Sequence, residues 1–168
     1  FGGRLRAAIS GGAAINPKVA KVFCGLGMPV IQGYGMTETS PVIAGNRLDD
    51  NQPQTVGLPF THVEVRLGED NEIQVCGPSV MKGYWKRPKA TAEAFTEDGW
   101  LRTGDLGTKD ASGNIFIRGR LLSMILSSSG QNIFPEELEA KLNNLPFILE
   151  SLVIERNKKL VALVYADY

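Results

Sequence analysis

Three stretches of this 168-residue sequence place hydroxyl, carboxylate or guanidinium side chains among glycines, the combination that holds a polar ligand against backbone. The first is Gly33-Tyr34-Gly35-Met36-Thr37-Glu38-Thr39-Ser40-Pro41. Its glycines let a ligand approach the chain closely. Tyr34 offers a flat face to a base or ring, Thr37 a hydroxyl to phosphate, and Glu38 a hard oxygen to Mg²⁺. The alternative is a plain turn into irregular structure. The second stretch, Gly99 to Gly107, carries Asp105 between glycines, where a carboxylate can accept hydrogen bonds from two neighbouring ribose hydroxyls. An aspartate in a tight turn reads the same way and is commoner. The third runs from Arg118-Gly119-Arg120 through Gly130-Gln131-Asn132 to Glu139. Its arginines suit an anion; the alternative is a helix start with ordinary surface charge.

Other chemistries are excluded by count. Neither G-x-x-x-x-G-K-[ST] nor G-x-G-x-x-G occurs. His62, the single histidine, reads as part of a strand start, so a Ser-His-Asp triad or a histidine-rich metal site has nothing else to use. Cys24 and Cys76 are expected to be reduced thiols in a core rather than a disulfide framework. Eighteen basic and eighteen acidic residues cancel, which argues against nucleic acid as a partner. No apolar run, Val161 to Ala166 included, is long enough to span a membrane. No signal-peptide pattern opens the chain, and a cytoplasmic location is expected. The start at Phe1 and the stop at Tyr168 both look like cuts in a longer polypeptide.

The elements that must position these stretches follow from periodicity and punctuation. Residues 4–9 read as a strand. Asn16 is suited to a helix N-cap and Pro17 to the first helical position; Val19, Val22, Phe23 and Leu26 recur at helical spacing before the stop at Gly27. Pro29 to Gln32 is the next strand, giving a parallel strand–helix–strand unit. Beyond Val56, alternation at Val63, Val65 and Leu67 and again at Ile73 and Val75 predicts a hairpin. A second hairpin is predicted over 106–117, turned at 110–114, with a short helix at 88–95 between the two. Met124 to Leu126 reads as a strand, and residues 127–132 as a polar loop. A helix starts at Pro135 with Leu138, Leu142 and Leu145 on one face. Strands near 149–155 and 160–165 close the chain.

Taken in order, these stretches resemble the adenylate-forming superfamily, which includes acyl-CoA synthetases, adenylation domains of peptide synthetases and beetle luciferases. Ser10-Gly11-Gly12-Ala13-Ala14 resembles the family's adenine-side loop, and Gly33 to Thr39 is close to a consensus form. Glu72 to Gly77, Gly83-Tyr84 and Pro88 to Thr91 match the next block, Gly99 to Gly107 the ribose block, and Gly119-Arg120 with Gly130 to Glu139 the hinge and the start of the C-terminal domain.

The resemblance implies a mixed α/β fold in three parts: the end of a parallel α/β lobe (1–55), a small antiparallel β-barrel-like subdomain (56–119) and the start of a mobile α+β lid (120–168). It implies ATP-dependent activation of a carboxylate to an acyl-adenylate and transfer to coenzyme A, most like bacterial long-chain fatty acid–CoA ligases. Short-chain or aryl acid–CoA ligases, carrier-loading adenylation domains and a non-catalytic nucleotide-binding module are the alternatives. Gly12, Ala13 and Ala14 would then line the adenine and acyl end, with Gly33, Tyr34, Gly35 and Met36 around the nucleotide and Tyr34 packed on adenine. Thr37 would contact phosphate, Glu38 would hold Mg²⁺, and Asp105 and Arg120 would bind the ribose. Gly130, Gln131 and Asn132 would flank the pantetheine path. The hinge position falls at Leu122, where the family usually has Asp or Lys. The family's upstream phosphate loop and its C-terminal catalytic lysine have no counterpart in these residues, so the stretch alone is expected to be inactive. Peripheral membrane contact and self-association through exposed apolar edges are further expectations.

Overall fold

The computed structural model describes residues 3–13, 15–126 and 132–167. The chain divides into two compact units, one holding residues up to 103 together with 107–117, the other 104–106 with 118 onward. The fold is mixed α/β, as expected.

In the first unit, β1 (Ala8–Ser10) pairs in parallel with β2 (Val30–Gly35), Ser10 facing Gln32. The return between them is α1 (Pro17–Gly25), whose N-cap Asn16 accepts the Lys18 N–H at 2.9 Å. Residues 4–7, expected in the first strand, lie outside it, so β1 is only as long as its partner allows. The buried face of α1 also differs from expectation. Ala20 is fully buried, whereas Val19, Val22 and Leu26 are exposed. A small residue lets the helix backbone approach the sheet, and the larger aliphatics end up outside.

The sheet continues antiparallel through β3 (Val42–Gly45) and β4 (Leu58–Pro59), in the order β1-β2-β3-β4. Gln32 fixes the connection behind it. Its buried side chain accepts the Ile15 N–H at 3.0 Å and donates to the carbonyls of Pro53 and Thr55 at 3.0 and 3.3 Å. Asn46 completes this network, donating to Thr55 O at 2.8 Å and accepting the Gln52 N–H at 3.1 Å.

The second sheet has the order β5-β6-β7-β8, built from β5 (Glu64–Leu67), β6 (Glu72–Cys76), β7 (Leu101–Lys109) and β8 (Ile115–Arg120). The predicted hairpin β5–β6 forms antiparallel around a tight turn at Glu69–Asn71. His62 is not at the strand start; it is exposed in the preceding turn with φ of 67°. The predicted helix is α2 (Pro88–Ala94). Ile43, Ala44, Val56, Ile73, Val75 and Ile115 form one core that joins the two sheets of this unit. Cys24 and Cys76 are free thiols, half-buried rather than enclosed in that core.

In the second unit, β9 (Ile125–Leu126) pairs with β10 (Asn132–Ile133), a strand absent from the sequence reading. Helix α3 (Pro135–Leu142) opens with Glu136 and Glu137 where the helix dipole favours anions and carries Lys141 in its last turn. Leu145 lies beyond it and is exposed, so the expected apolar face is one residue shorter. Strands β11 (Ile148–Arg156) and β12 (Lys159–Ala166) form the predicted closing hairpin, and α3 packs on β11, where the Glu139 carboxylate accepts the Val153 N–H at 2.8 Å. No helix is long and apolar enough to cross a membrane among the described residues.

Candidate functional site

The first glycine-bearing stretch is partly strand. Gly33, Tyr34 and Gly35 end β2, and the chain leaves through a 3₁₀ turn at Thr37–Thr39. Only glycine fits at position 35, because a Cβ there would overlap the carbonyl of Pro41 as the chain folds back into β3. The turn is fixed by Thr39, which is fully buried. Its hydroxyl accepts the Met36 N–H at 3.2 Å and lies 2.9 and 3.0 Å from the carbonyls of Met36 and Pro41.

Beside this turn lies a cavity of about 510 Å³. Gly12, Gly33, Tyr34, Gly35, Met36 and Thr37 line it, together with Ser10, Gly11 and Phe60. Two segments distant in sequence thus meet at the C-terminal ends of the parallel strands β1 and β2, where open α/β sheets take their ligands. The volume falls in the range of small-molecule sites. Ala13 is exposed and not part of the lining, and Ala14 lies outside the described residues.

Glu38 stands just beyond the cavity lining. Its carbonyl accepts the Met81 N–H at 2.8 Å, and its Oε1 accepts the Tyr84 hydroxyl at 2.8 Å. That shared proton raises the Tyr84 pKa above its ordinary value, with burial and the carboxylate's charge adding to the effect. No group of three or more His, Cys, Asp or Glu side chains capable of caging a metal exists among the described residues. A single carboxylate next to the cavity residue Thr37 is nevertheless a donor Mg²⁺ uses when substrate phosphates and water complete its shell, so the residues present fit that ion.

Asp105 and Arg120 belong to the second unit. From Leu101 onward the Gly99–Gly107 stretch is β7, so Asp105 is a strand residue rather than a turn aspartate. Gly104 takes φ of 70° within the strand, a conformation that side chains disfavour. The Asp105 side chain is 15% exposed and pairs with Arg120 Nε at 3.1 Å. Leu122 follows in a 3₁₀ turn and is fully exposed. The Ser123 hydroxyl bonds Glu136 of α3 and lies 3.1 Å from Arg120 O, and Arg118 pairs with Glu137 at 3.7 Å. Asn132 is exposed in β10, whereas Gly130 and Gln131 lie outside the described residues.

The residue that sequence reasoning passed over is Tyr84. The Gly83-Tyr84 pair was visible as part of a motif, but its link to Glu38 spans 46 positions and leaves no periodic trace.

The family described as "AMP-binding enzyme" matches residues 1–85, half of the chain. The chain belongs to this family. Among curated relatives, the AMP-binding chain is 39% identical over 168 residues to the long-chain-fatty-acid–CoA ligase FadD15 of Mycobacterium bovis, covering 99% of the chain and 28% of that relative. It is 40% identical over 162 residues to a feruloyl-CoA synthase of an Amycolatopsis species, covering 89% of the chain and 33% of that relative. Among solved structures, it is similar to the O-succinylbenzoate coenzyme A synthetase MenE of Bacillus subtilis in complex with AMP. The TM-score there is 0.85 at 31% identity, covering 97% of the chain and 36% of that structure. The ATP-bound MatB of Rhodopseudomonas palustris gives a TM-score of 0.84 at 32% identity, with coverage of 95% and 35%. The AMP-binding chain thus spans about a third of the length of the relatives it matches.

Proposed function

We propose that the complete polypeptide activates a carboxylic acid with ATP and passes the acyl group to coenzyme A, with long-chain fatty acids as substrates. The cavity where Ser10–Gly12 meets Gly33–Thr37, with Glu38 at its edge, carries this reading. An acid carboxylate attacks the α-phosphorus of ATP. A new acyl O–P bond forms, the α–β phosphoanhydride breaks, and pyrophosphate leaves with the electron pair. The thiolate of coenzyme A then attacks the acyl carbonyl and AMP departs. Activation is needed because a free carboxylate has a poor leaving group, and AMP supplies a good one.

In this assignment Tyr34 packs on adenine, and Gly12, Ala13 and Ala14 border the adenine and acyl end. Gly33, Gly35 and Met36 shape the nucleotide site, Thr37 donates to phosphate and Glu38 binds Mg²⁺. That ion, when bound, offsets charge on the triphosphate. Asp105 and Arg120 take the ribose hydroxyls, Leu122 marks the hinge, and Gly130, Gln131 and Asn132 border the pantetheine path. The functional division at 1–55, 56–119 and 120–168 is part of the same proposal.

Similarity to FadD15 supports the fatty-acid branch. A second reading, an aryl-acid ligase, is favoured by equal identity to feruloyl-CoA synthase. ATP–pyrophosphate exchange on the complete polypeptide separates them, using acids from acetate to long-chain fatty acids with benzoate, ferulate and amino acids alongside. A peak at a long-chain acid is expected. A peak at an aryl acid moves the protein to the second reading, and no exchange with any acid overturns both.

A further inference from the structure

We infer that Tyr84 is a positioning residue that aims the Glu38 carboxylate at the cation carried by the nucleotide phosphates, an inference that rests on the nucleotide-activating reading above. The backbone around Glu38 is fixed by buried Thr39, but a glutamate side chain still has several rotatable bonds, and ordering it costs conformational entropy. Mg²⁺ tolerates little departure from octahedral geometry, so the carboxylate must be oriented before the ion arrives.

The segment 81–84 supplies that orientation from outside the turn. The Met81 N–H donates to Glu38 O at 2.8 Å, and the Tyr84 hydroxyl donates to Glu38 Oε1 at 2.8 Å. One bond holds the residue's main chain and the other its side chain. Among the described residues Oε2 carries no hydrogen bond, which leaves it available to a cation.

Tyr84 is itself anchored. Its N–H donates to Thr91 Oγ1 at 2.9 Å, and Thr91 Oγ1 donates to Arg87 O at 2.9 Å, tying the tyrosine to the first turn of α2. Gly83 passes so close that a Cβ there would lie 2.6 Å from Thr91 Cγ2. Tyr84 is also 40% exposed, so its hydroxyl is not satisfying a buried core group. A bond placed at the surface and held this firmly at both ends orients its partner more than it stabilises the fold.

The test is Tyr84→Phe in the complete polypeptide, with Mn²⁺ as the probe, followed by electron paramagnetic resonance in the presence of a non-hydrolysable ATP analogue. Loss of this solvent-exposed orienting bond, worth about as much as an ordinary hydrogen bond, predicts Mn²⁺ binding weaker by about three- to tenfold. The Mg²⁺ concentration giving half-maximal pyrophosphate exchange should rise by the same factor, with the KM for the acid and the melting temperature unchanged. Thr91→Val, which keeps the hydroxyl of Tyr84 but loosens its anchor, should give a smaller loss in the same direction. Unchanged Mn²⁺ affinity in Tyr84→Phe overturns the inference, as does a fall in melting temperature or a rise in acid KM matching the Mn²⁺ effect. A native protein that exchanges with no acid, yet binds Mn²⁺ in a Tyr84-dependent way, overturns the proposed reaction and leaves the inference standing.

Discussion

Strand β7 places the carboxylate of Asp105. As a turn residue it would be replaceable; as a strand residue, 15% exposed and paired with Arg120, it is held in one orientation. Two hydrogen bonds from ribose hydroxyls to such an ionised group are worth about 1.5–3 kcal/mol each. Asp105→Ala in the complete polypeptide is therefore expected to weaken nucleotide binding by at least about tenfold, measured by calorimetric titration with ATP. Unchanged affinity would remove Asp105 from the ribose site. Asp98 makes a different point about charge. Arg66 grips both its oxygens, at 2.6 and 2.8 Å, and the Thr96 hydroxyl donates at 2.7 Å. The Arg66 bonds, then the Thr96 bond, hold its carboxyl far below the ordinary 3.8. A depressed folded pKa contributes stability that is complete above the unfolded value and lost as pH falls. The melting-temperature gap between the native chain and Asp98→Asn should thus be full at neutral pH and shrink steadily below pH 3.8. The gap is small because the pair is exposed, and added salt should reduce it further.

Elements with local signals are the ones the sequence reveals. Helix α1 declares its start through Asn16 and Pro17, and the hairpins β5–β6 and β11–β12 declare themselves by alternation and polar turns. Strands β3, β4 and β10 do not, because they are two to four residues long and exist only through partners elsewhere in the chain. The start of β7 is masked by Gly104, which the sequence presents as a loop former and the sheet absorbs at positive φ. The same division holds at the site. Residue types in Gly33–Thr39 and Gly12 were readable, but the Tyr84–Glu38 bond depends on tertiary placement. Gln32 shows how such placement is enforced. Gln32→Leu would leave the Ile15 N–H and the Pro53 carbonyl without their side-chain partner, while Thr55 O keeps its bond from Asn46. A loss of about 1–3 kcal/mol is expected for each group left buried and unpaired, read as a lower urea midpoint. A midpoint equal to the native one would show that the 46–55 connection holds without this network.

At the scale of the whole chain, apolar surface is unevenly distributed. The first unit encloses Ile43, Ile73 and Ile115 completely, whereas Leu152 and its cross-strand partner Leu163 are both about half exposed, with Tyr165 more so. The isolated 168-residue chain is expected to self-associate through this face as concentration rises, observed by sedimentation velocity; Leu163→Glu should restore the monomer. A chain that stays monomeric at high concentration would count against that expectation. The two tryptophans differ just as sharply. Trp100 lies under the Arg66 guanidinium at 4.4 Å, while Trp85 is 86% exposed and adjoins Tyr84. The protein therefore carries two native fluorophores in different surroundings. The solvent-facing indole is expected to emit red-shifted light and, because it sits one residue from the hydroxyl that bonds Glu38, to change its signal if nucleotide and cation arrive there. The half-buried indole, stacked under Arg66, is expected to follow folding instead.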